Sequence, residues 1–352
     1  MSTACSNPPS YRSSQFRDGQ FHNAVSPKQP GGWQVLKLWW QFMFKDTSRT
    51  VPPTGLTVVP LTGEQLEQAP DGSIYRLGHS TVLMKLNGKF WITDPVFAER
   101  ASPVQWAGPK RFTPTPISLA ELPPLAAVVL SHDHFDHLDR ETVIALAAKT
   151  NVFLAPLGVG DQLIRWGIPA SKTHQLDWWQ TIELEGIQFT ATPAQHFSGR
   201  SVFAKNPTLW ASWVIYTGTH RIYFSGDTGY FDGFAEIGRR HGPFDLTLLE
   251  AGAYDKQWEG VHMLPQQVMQ AHRDLGGDWL LPIHNATFDL AFHSWDEPME
   301  KMLALSAQQD IRLTMPRIGE AVRLGQYQRA QPWWRVKESR TTPANVHATA
   351  SS

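Results

Sequence analysis

The feature that most constrains this chain is a junction. A five-residue apolar run, Ala126 to Leu130, passes without a linker into Ser131-His132-Asp133-His134-Phe135-Asp136-His137-Leu138-Asp139. The run is too short for a globular helix and reads as a buried strand. Three histidines and three aspartates therefore crowd into a loop at its end. A helix would project residues two apart in very different directions. A tight turn at a strand end can instead aim alternate side chains at two neighbouring points. Imidazole and carboxylate are the usual nitrogen and oxygen ligands of zinc, manganese and iron. In such a turn two histidines can serve one metal while Asp136 and His137 serve another.

Two metals need further ligands, and polar residues just beyond other apolar runs supply them. His196 follows IQFTATPAQ, Asp227 follows HRIYFSG, and His284 follows DWLLPI. Loops over a rigid sheet are where function is carried, and a single carboxylate such as Asp227 can bridge two ions. The only cysteine, Cys5, lies in a polar leader. An internal disulfide is excluded, and a cysteine-ligated zinc site is argued against.

Around these residues the chain reads as an N-terminal arm and helix (1–54), a catalytic domain (55–325) and a C-terminal tail (326–352). Residues 1 to about 30 are polar and carry Pro8, Pro9, Pro27 and Pro30, the composition of an extended arm. From Trp33 to Lys45 the polar residues Gln34, Lys37, Gln41 and Lys45 recur at intervals of three, four and four, one stripe on an otherwise apolar helix. Such a face can lie on its own core, on a dimer partner, or on a membrane surface. Short strands follow: LTVVP, SIYRL, TVLMKLNG and KFWITDP, with Asn87-Gly88 as a hairpin turn. Beyond the cluster we expect helices over 140–148, 158–166, 231–240, 265–274 and 295–308. The strands NVFLAP, TIELEG, IQFTATPA, WASWVIYTG, HRIYFSGD, DLTLLE and DWLLPIH lie between them. The fifteen tryptophans read as core and rim residues. A net charge of -1 gives no general attraction to nucleic acid. The sequence has no secretory pattern and no long apolar span, which points to the cytoplasm.

The cluster, followed by isolated His, Asp and His at intervals of 59, 31 and 57 residues, resembles the metallo-β-lactamase superfamily. That resemblance implies an α/β fold, the αββα sandwich, with a dinuclear metal site at one edge of its two sheets. It also implies that His132, His134 and His196 hold the first metal, and Asp136, His137 and His284 the second, with Asp227 bridging. The best-known zinc β-lactamases place a cysteine where Asp227 stands. The flavo-di-iron branch places Glu at the second histidine of the cluster, so His134 favours two zinc ions and hydrolysis over oxygen chemistry. The segments LGHSTVLMKLNGKFWITDPVFAERASPVQWAGPKRF, ELPPLAAVVLSHDHFDHLD and AGAY are similar to the N-acyl-phosphatidylethanolamine-hydrolysing phospholipase D branch. This implies a zinc phosphodiesterase acting on N-acylated ethanolamine phospholipids; with the apolar face of the 33–45 helix, peripheral membrane contact and a homodimer are both open. Ascorbate-phosphate lactonases share much of the core, so lactone or carboxylic ester hydrolysis stays open. A metal-binding membrane module without turnover is the reading from another class.

Three further positions carry weight. Asp94 matches a superfamily carboxylate that hydrogen-bonds a metal-bound histidine and fixes its orientation. His262 in GVHMLPQQ matches a histidine near the site of the phospholipase branch, although Gln266 and Gln267 stand where that branch often has acids. It is a candidate to protonate the leaving group. Asp136 and Asp227 would hold the metals and orient the nucleophile. His79 can lie near the site or serve the core, and Lys110-Arg111 can contact phosphate or form a solvated basic pair.

Overall fold

A computed structural model describes residues 11–26, 32–201 and 205–335. The expectations for residues 1–10, 27–30 and the tail after Lys337 fall outside these, as does the side chain of Gln34.

In chain order the elements are β1 (Phe16–Arg17), β2 (Gln20–Phe21), α1 (Gly32–Met43), α2 (Gly63–Gln68), β3 (Ser73–Gly78), β4 (Thr81–Leu86), β5 (Lys89–Thr93), β6 (Leu125–Val129), α3 (Arg140–Leu146), β7 (Thr150–Pro156), α4 (Val159–Arg165) and β8 (Thr173–Leu176). There follow β9 (Thr181–Leu184), β10 (Ile187–Thr192), β11 (Ser212–Tyr216), β12 (Arg221–Phe224), α5 (Gly233–His241), β13 (Phe244–Glu250), α6 (Pro265–Asp274), β14 (Gly277–Ile283), α7 (Glu297–Gln308), β15 (Arg312–Leu313) and β16 (Ala321–Arg323). Two seven-stranded sheets form, in the orders β16-β3-β4-β5-β6-β7-β8 and β15-β14-β13-β12-β11-β10-β9. Each is antiparallel at one end and parallel at the other. In the first sheet the switch falls at β5, antiparallel to β4 and parallel to β6. In the second it falls at β12, antiparallel to β11 and parallel to β13.

Period-two burial explains the layering. On β5, Trp91 points between the sheets while Phe90 and Ile92 point outward; on β12, Ile222 and Phe224 point inward and Tyr223 outward. One core, including Met84, Trp91, Phe189 and Trp213, fills the space between the sheets. A second packs Leu66 of α2, Val143 of α3 and Leu163 of α4 against the outer face of the first sheet. The third packs Phe234 of α5, Met269 of α6 and Met302 of α7 against the second sheet. This is the expected αββα sandwich. Buried tryptophans find carbonyl partners, as when Trp91 Nε1 donates to Leu86 O and Trp213 Nε1 to Leu130 O. Among the described residues no helix is long and apolar enough to cross a membrane.

Several expectations are corrected. Residues 11–26 are a packed strap, not a loose arm: Phe21 is fully buried and joins the core between the sheets, with Tyr11 and Phe16 against it. Three aromatic rings in eleven residues supply enough apolar surface to hold a polar segment down. Residues 326–335 also pack, with Trp334 buried and Tyr327 stacked on Trp279. LTVVP is extended without joining a ladder, because Val59 N bonds Ile318 O and Leu61 N bonds Pro116 O, two different segments. On α1, Lys37 and Gln41 face solvent as expected, but so do Trp33 and Trp40, 82% and 53% exposed, with Phe44 just beyond the helix at 72%. Lys45, assigned to the polar stripe, is drawn in by Asp289 at 2.6 Å.

Candidate metal centre

The parallel strands aim their C-terminal ends at one rim, and the donors collect there. After β6 the chain closes a tight turn in which His137 N and Leu138 N both bond His134 O. Arg200 braces it from below, donating Nη1 to Asp133 O and Leu138 O at 2.7 Å each and lying 3.8 Å from the Phe135 ring. His196, Asp227 and His284 arrive just beyond β10, β12 and β14, so donors from both sheets meet. All seven expected metal ligands are brought together.

His132, His134, His196 and Asp227 form one cluster. His132 Nε2 lies 2.9 Å from His134 Nδ1, and His196 Nε2 lies 3.2 Å from the same atom. Ligands about 2.0–2.1 Å from a tetrahedral ion stand about 3.3–3.4 Å apart, so this spacing fits a shared cation. The far nitrogens are held: His196 Nδ1 donates to Val261 O at 2.9 Å, and His132 Nδ1 donates to Ser131 Oγ at 2.8 Å. Ser131 Oγ in turn donates to Asp94 Oδ2 at 2.6 Å, and His137 Nδ1 donates to that same oxygen at 2.7 Å. One buried carboxylate therefore anchors two donor histidines, directly and through a serine, turning both Nε2 atoms toward the donor clusters. Asp94 stands where the sequence placed it. Burial and neighbouring imidazoles push His132 well below its ordinary pKa. Burial likewise pushes His196 well down, against the opposing charge of Asp227. Both rings are neutral, as ligands must be.

The second cluster is Asp136, His137 and His284, with His79 beside them. Asp227 stands between the clusters, Oδ1 at 3.0 Å from His137 Nε2 and Oδ2 at 3.0 Å from His284 Nε2. His137 Nε2, His284 Nε2 and Asp227 Oδ1 are buried without an aligned hydrogen bond, so their lone pairs converge as a divalent cation requires. Burial raises the Asp227 carboxyl, but His137 and His284 outweigh it and hold it well below the usual range. Burial lowers His284, but Asp227 and Asp136 outweigh that and hold it up at about 10, the tendency of a cation site to take a proton. His79, left open by the sequence, is at the site. It is pushed down to about 3 by burial and by His284, and its neutral Nε2 donates to Asp136 Oδ2 at 3.0 Å.

His284 sits in the left-handed region, φ 62°, a strained setting for a non-glycine residue. Its loop is over-determined by four contacts. His284 N donates to His79 O (3.1 Å), Thr113 Oγ1 to Ala286 O (2.6 Å), and buried Arg76 through Nη2 to Asn285 O and Oδ1 (2.7 and 2.8 Å).

A cavity of about 480 Å³ opens over Asp136, Asp227 and His284, walled by Leu38, Phe42, Phe197, Trp258 and Leu290. His262 lines it, with ring centroids 5.2 Å from His196 and 5.3 Å from His284. Arg111 takes neither expected role. Its guanidinium donates to Val96 O and Ala98 O and lies over Phe288, satisfying carbonyls of the 96–98 loop. Lys110 is exposed. Sequence reasoning missed Glu250, which accepts from His262, and Asn23, which pairs with the backbone of His196. Neither had a local signal: Glu250 ends a strand that also carries Asp245 and Thr247, and Asn23 lies in a polar leader.

The β-lactamase superfamily domain profile matches residues 91–285. With this fold and donor set, the chain belongs to the metallo-β-lactamase superfamily of hydrolases. Its relatives narrow that further, to the phospholipase D-like branch. It is 32% identical to N-acyl-phosphatidylethanolamine-hydrolyzing phospholipase D 1 of Caenorhabditis elegans, over 85% of this chain and 90% of that protein. It is 40% identical to an uncharacterized protein of Mycobacterium tuberculosis, over 93% of this chain and 89% of that one. Among solved structures, the isothiocyanate hydrolase from Delia radicum gut bacteria superposes with a TM-score of 0.57 at 18% identity, covering 71% of this chain and 98% of that one. At that identity the likeness speaks for the fold alone.

Proposed function

We propose that this chain is a dinuclear zinc phosphodiesterase of phospholipase D type, acting on N-acyl-phosphatidylethanolamine-like lipids. The observation that carries the reading is the apolar cavity set directly over a two-cluster donor site. The phospholipase D relative supports it. His132, His134 and His196 would hold one ion and Asp136, His137 and His284 the other, with Asp227 shared. Zinc bound there supplies Lewis acidity and makes water a nucleophile near neutral pH.

The chain's own residues do the rest. Asp136 and Asp227 would hold the ions and orient the attacking water, and Asp94 keeps His137 turned toward them. Phe197 and Trp258 exclude bulk water and take the acyl chain. His262 protonates the leaving alkoxide, a task for a positioned imidazole at the cavity wall. The α1 helix turns Leu38 and Phe42 toward the cavity and Trp33, Trp40 and Phe44 toward solvent. Three large exposed rings on this helix and just beyond its end would give reversible docking of a few kcal/mol on a lipid surface, short of permanent insertion.

Metal-replete protein assayed against N-acyl phosphatidylethanolamine, short phosphodiesters, lactones and thioesters tests the reading. Turnover of the phosphodiesters supports it, and turnover of lactones or thioesters alone overturns it. Trp33→Ser with Trp40→Ser should weaken vesicle binding and long-chain turnover while a short phosphodiester is cleaved as before. Equal loss on both substrates would make α1 a support of the fold or of a dimer.

A further inference from the structure

Strand β13 runs Phe-Asp-Leu-Thr-Leu-Leu-Glu and ends in the core. Its last residue, Glu250, is 0% exposed. A carboxylate so placed costs several kcal/mol unless fully hydrogen-bonded. Both oxygens are in fact used. Oε1 accepts from Met263 N at 2.5 Å, and Oε2 accepts from His262 Nδ1 at 3.1 Å. The same short segment is tied to the metal centre, since Val261 O accepts from His196 Nδ1. The ring of His262 is thereby clamped on its Nδ1 side. Its other nitrogen is left to the cavity over Asp136, Asp227 and His284.

We propose that Glu250 is the positioning residue of His262: it holds the proton on Nδ1 and so presents Nε2 to the leaving oxygen of the substrate. The inference rests on the role given to His262 above. In that step the P–O bond to the alcohol breaks and its electron pair stays on the leaving oxygen. The ring enters the step protonated on both nitrogens; its Nε2 proton moves to that oxygen, water forms the new P–O bond, and one of the water's protons returns to Nε2. The ring keeps its second proton on Nδ1, bonded to Glu250 throughout. A carboxylate in this place sets which nitrogen works and holds the ring's angle, as the outer partner of a donor histidine does.

The amide variant separates this from a packing role. Met263 N–H is a fixed donor, so in Glu250→Gln the amide oxygen stays on it and the NH₂ group faces His262 Nδ1. That nitrogen must then accept, and the proton of the neutral ring moves to Nε2. Nitrogen-15 NMR of histidine-labelled, zinc-loaded protein reads the change directly, with the His262 signal assigned from His262→Ala. We expect protonated Nδ1 in the native protein and protonated Nε2 in Glu250→Gln. On the best phosphodiester of the panel, kcat should fall about 10- to 100-fold, the range for outer partners. KM and metal content should be unchanged, and Glu250→Gln should cost nothing more in a His262→Ala background.

An unchanged tautomer, or an equal loss without His262, overturns the proposal. So does loss of a metal ion, which would make Glu250 a donor of the centre. If native protein cleaves no phosphodiester, the functional reading fails while the tautomer still decides this one. If the amide variant does not fold, Glu250→Asp gives the same readouts. It should keep protonated Nδ1 with an intermediate kcat, and protonated Nε2 there would refute the clamp.

Discussion

Removing the carboxamide of Asn23 should loosen a metal-donor loop from outside both sheets. Asn23 Nδ2 donates to His196 O at 2.7 Å, while Oδ1 accepts from His196 N and from Trp210 Nε1 at 3.0 Å each. His196 is 0% exposed, so Asn23→Ala strands two buried backbone groups. Trp210 keeps a second acceptor, Ala194 O at 2.9 Å, and adds little to the cost. Each stranded group costs about 1–3 kcal/mol; allowing for local relaxation, we expect a loss of about 2–4 kcal/mol. Denaturant unfolding of the zinc-loaded protein measures it, with an unchanged m-value showing that the native state stays compact. A chelator competition run beside it should show weaker retention of one ion, because His196 belongs to the first cluster alone. Stability within about 0.5 kcal/mol of native with undiminished metal retention would refute the reasoning and take Asn23 out of the support of His196.

Asp94→Asn should cost about 10- to 100-fold in affinity for the second metal. Its oxygen stays on Ser131 N, leaving NH₂ against His137 Nδ1–H, and turning that ring's proton onto Nε2 blocks the donor atom. Native affinity by calorimetry would remove Asp94 from its role. A pH effect is expected at His272, which burial, then the charge of Arg273, pushes down to about 4. The unfolded chain takes the proton first, near pH 6.5, so this residue's contribution is present above that pH. It is lost as the pH falls toward 4, up to about 3 kcal/mol. The stability gap between native protein and His272→Gln should narrow across that window, and a constant gap would contradict it.

The metal donors were legible because each closes an apolar strand, a local pattern that a single sequence displays. What was illegible depends on partners far away in the chain. Asn23 sits in a polar leader, and only the folded chain brings it to His196. Glu250 has no visible purpose until residues 260–263 fold back over β13. The stretch LTVVP has strand composition, yet its backbone partners lie on two unrelated segments, so no ladder forms. The α1 stripe was legible in part: Lys37 and Gln41 face solvent, but Asp289 pulls Lys45 inward, and Trp33 and Trp40 are exposed as well. Strands of two or three residues, β1, β2, β15 and β16, are too short for any periodicity to mark them.

The pairing of β16 with β3 has a consequence for how the chain is made. Val322 pairs with Ile74, so the outer edge of the first sheet is closed by a strand that leaves the ribosome about 250 residues after β3. Until then β3 carries a row of unpaired backbone groups, open to any passing strand. At about 5–20 residues per second that interval lasts on the order of tens of seconds. The N-terminal half is thus a bonding-competent fragment throughout synthesis, and the C-terminal strand is its intramolecular cap. Chains ended prematurely before Ala321 would keep that edge open for good, turning a metalloenzyme into a seed for aggregation.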